Sequence, residues 1–262
     1  VTAEMRFCVL LAALSAPFWL AGTFVGDIPG MPMNLPVSSF MIFATLGAAV
    51  ILVYREEGAG SVRRLLLRSV DPRTIRPPAW YAPALLLMPA VLLLSYAVAR
   101  ATGQPLPAPQ AAAPAVPVLF LVYVLAAACE EVAWMGYLAP RMLPRWGVLR
   151  TGVLMGTLWA LWHIIPYLQM GRTWEWIGWQ ALFTVAARVL IVWLYESAGQ
   201  SVFAAVLVHA TSNLGVTLYP VNGSHYDPAV TGCITAAVAV CALWLRPPKE
   251  RSHSVTGVAH LD

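Results

Sequence analysis

Two adjacent carboxylates, Glu130 and Glu131, stand in the stretch CEEVAWMG, near the end of an apolar run from Ala115 to Ala139. A soluble helix would turn such a pair toward water. This run has no wet face, because Val, Leu, Phe, Tyr and Ala precede the pair almost without interruption. One charge inside a hydrocarbon-spanning helix costs at least roughly 2.5–3.5 kcal/mol on insertion scales, so ionisable residues there imply function and need partners.

Depth along each apolar run, at 1.5 Å of rise per residue, shows which groups can meet the pair. Glu130 precedes Arg141 by eleven residues, roughly 16 Å from that end of its helix. His163 follows Arg150 by thirteen, roughly 19 Å in. His209 and Asn213 follow Ser201 by eight and twelve, roughly 12–18 Å in. Acid, imidazole and amide from separate helices thus share one layer. His209 and Asn213 are i,i+4 and occupy one helix face, as do Trp159 and His163, so an indole can wall the site beside the imidazole. Pro166 lacks a backbone donor and can open the helix to water.

A carboxylate and a histidine sharing a buried water can hydrolyse an acyl bond. Glu130 would take the proton from water as general base, assisted or oriented by His163. His209 and Asn213 would donate to the oxyanion of the tetrahedral intermediate. Alternatively Glu130, His163 and His209 hold a zinc ion that activates the water. No HExxH or other one-helix zinc motif selects between the two. Cys129 makes a poor nucleophile, because neighbouring carboxylates suppress its thiolate. Cys8, Cys233 and Cys241 read as small hydrophobes, with no disulfide framework or zinc-finger spacing. His225, His253 and His260 read as ordinary loop or tail residues.

The elements that must position these groups are membrane helices. The chain has 262 residues, 60% of them hydrophobic and 11% charged, where soluble domains carry about 25% charged residues. Mean hydropathy is +0.71. Segments near the roughly 20 residues needed to cross a bilayer are Phe7–Gly26, Val37–Tyr54, Trp80–Ala99, Ala115–Ala139, Leu149–Leu168, Ile177–Ser197, Ser201–Tyr219 and Ala229–Leu245. The expectation is an all-α polytopic bundle of about eight transmembrane helices. It forms a single membrane-embedded domain over 1–262, with residues 115–219 as the core that carries the polar groups. The first run resembles a signal peptide as far as Ala16, but it continues past Pro17 to Val25 and reads as a retained helix. Breaks fall at DIPGMPMNLP, PLPAPQ, RMLPRWG, ESAGQS and PVNGSHYDP.

The net charge is +4. Arg55, Arg63, Arg64, Arg68, Arg73 and Arg76 crowd one loop, Arg141, Arg145 and Arg150 another, and Arg246, Lys249 and Arg251 the tail. Intervening loops hold only Arg100 or Arg172. The positive-inside rule therefore puts both termini in the cytoplasm of a multi-pass cell-membrane protein, with the polar site expected to open on that side. The segment SVRRLLLRSV suits either a short amphipathic helix on the inner leaflet or a plain polybasic signal. Trp174, Trp176 and Trp179 suit an outer aromatic belt. With no basic face outside the loops, nucleic acid is excluded as a partner; the partners are the lipid bilayer and a membrane-associated protein or peptide.

The segments EEVAWMGYLAPRM, GTLWALWHIIPYL and SVFAAVLVHATSN resemble the three motifs of the CPBP family. These are the CAAX prenyl endopeptidase and bacteriocin-processing intramembrane proteases, also called Abi or type II CAAX proteases. The resemblance covers the fourth through seventh helices. It implies a membrane endopeptidase in which Glu130 activates water, Glu131 supports it, His163 is the second-motif histidine, and His209 and Asn213 form an oxyanion site. It leaves the cofactor open between none and zinc, and so also whether the activity is that of a metalloprotease. The family's first motif is commonly written EExxxR, and here the last position is Met135. Arg188, on the sixth helix near the same layer, is the cation expected to pair with Glu131 instead. Two other classes compete with the endopeptidase. A non-catalytic binding or immunity protein is favoured by Met135, and a proton-coupled transporter by the buried carboxylates and histidines. Repeated halves, which would favour the transporter, are absent from the sequence.

Overall fold

The computed structural model describes residues 2–26, 35–108, 110, 114–221 and 223–245. Nine α-helices lie among them: α1 (Ala3–Val25), α2 (Ile42–Glu57), α3 (Ala59–Arg68), α4 (Tyr81–Ala101), α5 (Ala115–Glu131), α6 (Ala139–Gln169), α7 (Trp174–Ser197), α8 (Val202–Leu218) and α9 (Pro228–Leu245). No strand accompanies them in the described residues, and the chain is a multi-pass membrane protein. Six helical runs are long and apolar enough to cross a bilayer. One of these, Ala115–Gln169, contains both the expected fourth and fifth crossings, and the shorter α8 supplies the seventh. The basic tail, including Arg246, Lys249, Arg251, His253 and His260, lies outside the described residues, as does most of DIPGMPMNLP.

Two junctions differ from the sequence reading. RMLPRWG, expected as a turn, is helical except at Gly147, whose φ of 66° breaks α6. Only glycine takes that backbone at little cost, so the turn shrinks to one residue. The chain stays helical through Pro166. The second difference is at the end of α5, where Val132–Leu138 winds as a π-helix with every residue buried. Such turns are rare and concentrate at functional sites.

The tightest packing is between α6 and α7. A β-carbon added at Gly152 would lie 2.7 Å from the Val189 Cα, and one at Gly156 2.8 Å from the Val185 Cα and 3.1 Å from the Arg188 Cβ. The small-xxx-small spacing lets two backbones touch, which is how apolar helices associate without a hydrophobic drive. It also sets Arg188 against α6.

One end of the bundle is tied by charge. Glu56 at the end of α2 accepts from Arg6 of α1 at 3.1 Å and from Arg141 of α6 at 2.8 Å. Beside them α3 is docked as an amphipathic helix, burying Ser61 and Leu65 and exposing Leu66 and Leu67. Leu65 packs on Gly136 of the π-helical turn. Arg68 donates to the Gly136 carbonyl at 3.3 Å and the Tyr195 hydroxyl at 3.1 Å. The basic segment thus braces the π-helical turn rather than serving as a charge signal alone.

Candidate active site

Neighbouring residues on a helix diverge by about 100°, so Glu130 and Glu131 cannot share a face. Glu131 points into packed protein, where it is 0% exposed. Arg188 Nη1 lies 2.8 Å from both of its oxygens. His209 Nδ1 stands 2.8 Å from Oε1. The guanidinium, also 0% exposed, lies over the Trp159 ring at 4.0 Å and the Trp134 ring at 5.4 Å. Its Nε and Nη2 meet no acceptor among the described residues; the aromatic faces stabilise the cation there. The expected Arg188–Glu131 pair is present in this geometry, and the cation missing at Met135 comes from α7.

Glu130 turns the other way and lines a cavity of about 650 Å³. Its Oε2 accepts from the Trp159 indole at 2.8 Å and the Trp134 indole at 3.4 Å. His163 and Asn213 line the same cavity. His163 Nδ1 is 2.9 Å from the Trp159 carbonyl. A carbonyl only accepts, so that nitrogen carries the proton and Nε2 is an acceptor in the neutral ring. Trp159 therefore joins the whole cluster. Its N–H holds Glu130, its carbonyl holds His163, its face carries Arg188, and the His209 ring packs edge-on against it at 5.0 Å.

His209 stands apart from the cavity and is 1% exposed. A carboxylate also only accepts, so Nδ1 donates to Glu131. The shared layer read from helix rise brought six polar side chains together, and the structure divides them. Glu130, His163 and Asn213 face the cavity, with Glu131, His209 and Arg188 behind. Among the described residues no three His, Cys, Asp or Glu side chains stand close enough to hold a metal ion. Glu130, His163 and His209 are not gathered into such a group.

The cavity is walled mainly by apolar groups, among them Phe40, Phe43, Val122 and Leu125, all of them exposed. It runs toward Tyr167, Arg172, Trp176 and the 223–226 turn. That is the end opposite the Arg6–Glu56–Arg141 cluster, so the expected opening on the basic side is corrected. Helix depth locates a layer but not the interhelical gap that stays wide. His225, read as an ordinary loop residue, lines this cavity with a φ of 61°. Of the belt tryptophans, Trp174 and Trp179 are exposed, whereas Trp176 lines the cavity. Trp134 escaped the sequence reading although it is i,i+4 from Glu130, a spacing that puts an indole beside a carboxylate. The Gly152/Gly156 contact had a signal too, in the string GVLMG.

Residues 112–215 match the family described as type II CAAX prenyl endopeptidase Rce1-like. CAAX prenyl protease 2 of Methanococcus maripaludis is 28% identical over 152 residues, covering 52% of this chain and 55% of that protein. The chain thus spans about half the length of this curated relative. The matched stretch contains Glu130, Glu131, His163, Arg188, His209 and Asn213. The cluster, the helical bundle and the matched stretch point the same way, and over residues 112–215 the chain is similar to the Rce1-like type II CAAX prenyl endopeptidases.

Proposed function

We propose that this chain is an intramembrane endopeptidase that hydrolyses a peptide bond of a membrane-associated protein or peptide. The observation that carries the proposal is the unequal treatment of the two carboxylates. Arg188 neutralises Glu131, so the negative charge left to act is that of Glu130, fixed by indole donors on one oxygen and lining a cavity. Glu130 takes a proton from water as the water oxygen bonds to the scissile carbonyl carbon. His163 Nε2 accepts the water's other hydrogen and orients it. The carbonyl electron pair moves to oxygen, where the Asn213 amide donates to it. Collapse breaks the C–N bond, and the proton on Glu130 passes to the leaving amine. His209, bonded to Glu131 through Nδ1, positions that carboxylate from behind the cavity. Phe40, Phe43, Val122 and Leu125, which wall the cavity and are exposed, suit an apolar substrate segment arriving from within the bilayer.

Purified protein in lipid vesicles should cleave a membrane-anchored reporter peptide, and His163→Ala should reduce the rate by about 10²-fold or more, the lower range for losing a positioned acid–base group. Wild-type rates in His163→Ala protein would remove the imidazole from the reaction.

We also propose that the basic end faces the cytoplasm and the cavity the opposite side, since positive loops are retained inside. Gly60 and Ser224 are both exposed and sit at opposite ends. A cysteine at Ser224 should react with an impermeant thiol reagent on intact cells, and one at Gly60 only after permeabilisation. The reverse pattern would turn the cavity to the cytoplasm.

A further inference from the structure

The segment between α3 and α4 is bonded onto the core at the basic end of the bundle. The Arg76 amide donates to the Ala198 carbonyl at 3.1 Å, and the Thr74 and Ser201 hydroxyls stand 2.7 Å apart. The Tyr81 hydroxyl donates to the Pro72 carbonyl at 2.8 Å. These bonds fix the walls of a second pocket, of about 420 Å³, formed by Pro72, Pro77, Pro78 and Tyr81 around Arg73 and Arg76. Arg76 Nε donates to the Arg73 carbonyl at 3.2 Å, which ties the two arginines together.

Both arginines are exposed, and no carboxylate lines their pocket. Asp71, the nearest acid in sequence, accepts from the Arg73 amide at 3.0 Å. Among the described residues no ion pair reaches Arg63, Arg64, Arg73 or Arg76. The pocket thus carries two like charges without a counter-ion of its own, a field that draws anions. Its level shows which anion. Tyr81 opens α4 within a run apolar enough to cross a bilayer, so the pocket lies where a crossing helix leaves the hydrocarbon. Just before it in the chain, α3 buries Leu65 and exposes Leu66 and Leu67, and Val70 is exposed past its end. At 3.6 residues per turn, Arg63, Leu67 and Val70 stand opposite Leu65. An outer face of leucine, valine and arginine suits the boundary where apolar side chains enter lipid and cations meet phosphate.

We propose that the Arg73–Arg76 pocket binds the headgroup phosphate of an anionic phospholipid, with the outer face of α3 lying in the same leaflet. Guanidinium forks match the oxygens of a phosphate, and charge-assisted bonds of this kind are the strong ones. Basic pockets at the ends of crossing helices recognise headgroups in this way. A free phosphate ion or an acidic peptide would meet the same two arginines but leave Leu66, Leu67 and Val70 in water, so the lipid is the better occupant. The site uses neither Glu130 nor any peptide, and it is independent of the endopeptidase reading.

The test measures equilibrium binding of short-chain phosphatidylglycerol to the whole chain, purified in a neutral detergent. Phosphatidylcholine of the same chain length, inorganic phosphate and a short glutamate peptide are the comparison probes. Phosphatidylglycerol should bind about 30-fold more tightly than phosphatidylcholine, at roughly fivefold for each arginine beside a headgroup. Arg73→Gln with Arg76→Gln should erase that preference, and Arg73→Lys with Arg76→Lys should keep part of it. Arg145→Gln with Arg150→Gln removes the same charge from exposed positions outside the pocket and should leave the preference intact. Equal losses from the two glutamine pairs would reduce the effect to diffuse surface charge and overturn the pocket. Displacement of the lipid by phosphate or by the glutamate peptide at the lipid's own concentration would overturn the lipid assignment. The two lipids compared on the unmodified protein decide the matter even where a variant fails to fold, since equal binding of both overturns the site.

Discussion

Glu130→Gln protein should insert and fold like the wild type yet cleave at about 10⁻²–10⁻⁴ of its rate, the usual loss with a general base. The amide matches the carboxylate in shape, and its oxygen still accepts from the Trp159 and Trp134 indoles. What it cannot do is take a proton from water. Glu131→Gln should behave differently, because its carboxylate is turned away from the cavity and fully buried. Its loss should appear first as instability. The comparison is single-turnover cleavage by each variant beside unfolding of the same preparation. Wild-type rates from Glu130→Gln with crippled rates from an equally stable Glu131→Gln would reverse the two roles.

Arg188→Met and Glu131→Gln should each cost about 3–5 kcal/mol, because removing one member strands the other as an unpaired buried ion or donor. Together they should cost less than their sum, with a coupling of roughly 0.5–3 kcal/mol for groups in direct contact. The 2.8 Å contact and zero exposure on both sides make this the most strongly coupled pair expected in the bundle. Arg188→Met should also slow cleavage beyond its effect on folding. It leaves two adjacent negative charges, and the neighbouring charge on Glu131 then opposes every change of charge on Glu130. Strictly additive unfolding energies would show that the pair contributes nothing as a pair.

Much of this was legible in the sequence, for reasons that set its limit. Apolar length marks a crossing because a bilayer has a fixed thickness, so each of the eight expected runs has a helical counterpart. The 1.5 Å rise gave the depth of Glu130, His163, His209 and Asn213, and the empty place at Met135 pointed to Arg188. Which way a side chain faces within its layer was not legible, since that depends on how each helix is rotated against its neighbours. His209 therefore looked equivalent to Asn213 although it sits behind the cavity wall. The π-helical turn has no local signature; VAWMGYL reads as ordinary helix until α1, α2 and α3 close around it. The side on which the cavity opens depends on which gap is left unfilled, a property of the whole bundle. Arg172 looked like a stray loop charge because the turn at Gly171 that folds it inward lies beyond the periodic part of α6.

The contact at Gly156 has a wider consequence. With an added β-carbon only 3.1 Å from the Arg188 Cβ, the reach of the guanidinium is set by a position that contributes no side chain. Interiors of this density shift as a unit rather than deform locally, so a methyl group at 156 would push α7 outward and draw the cation off Glu131. The carboxylate thus unmasked adjoins Glu130, which would feel the change without touching either helix face that moved. Reactivity at the cavity is therefore tuned from the far side of α6 by steric tolerance. A natural variant at this glycine would read as an electrostatic mutant although it alters no charge.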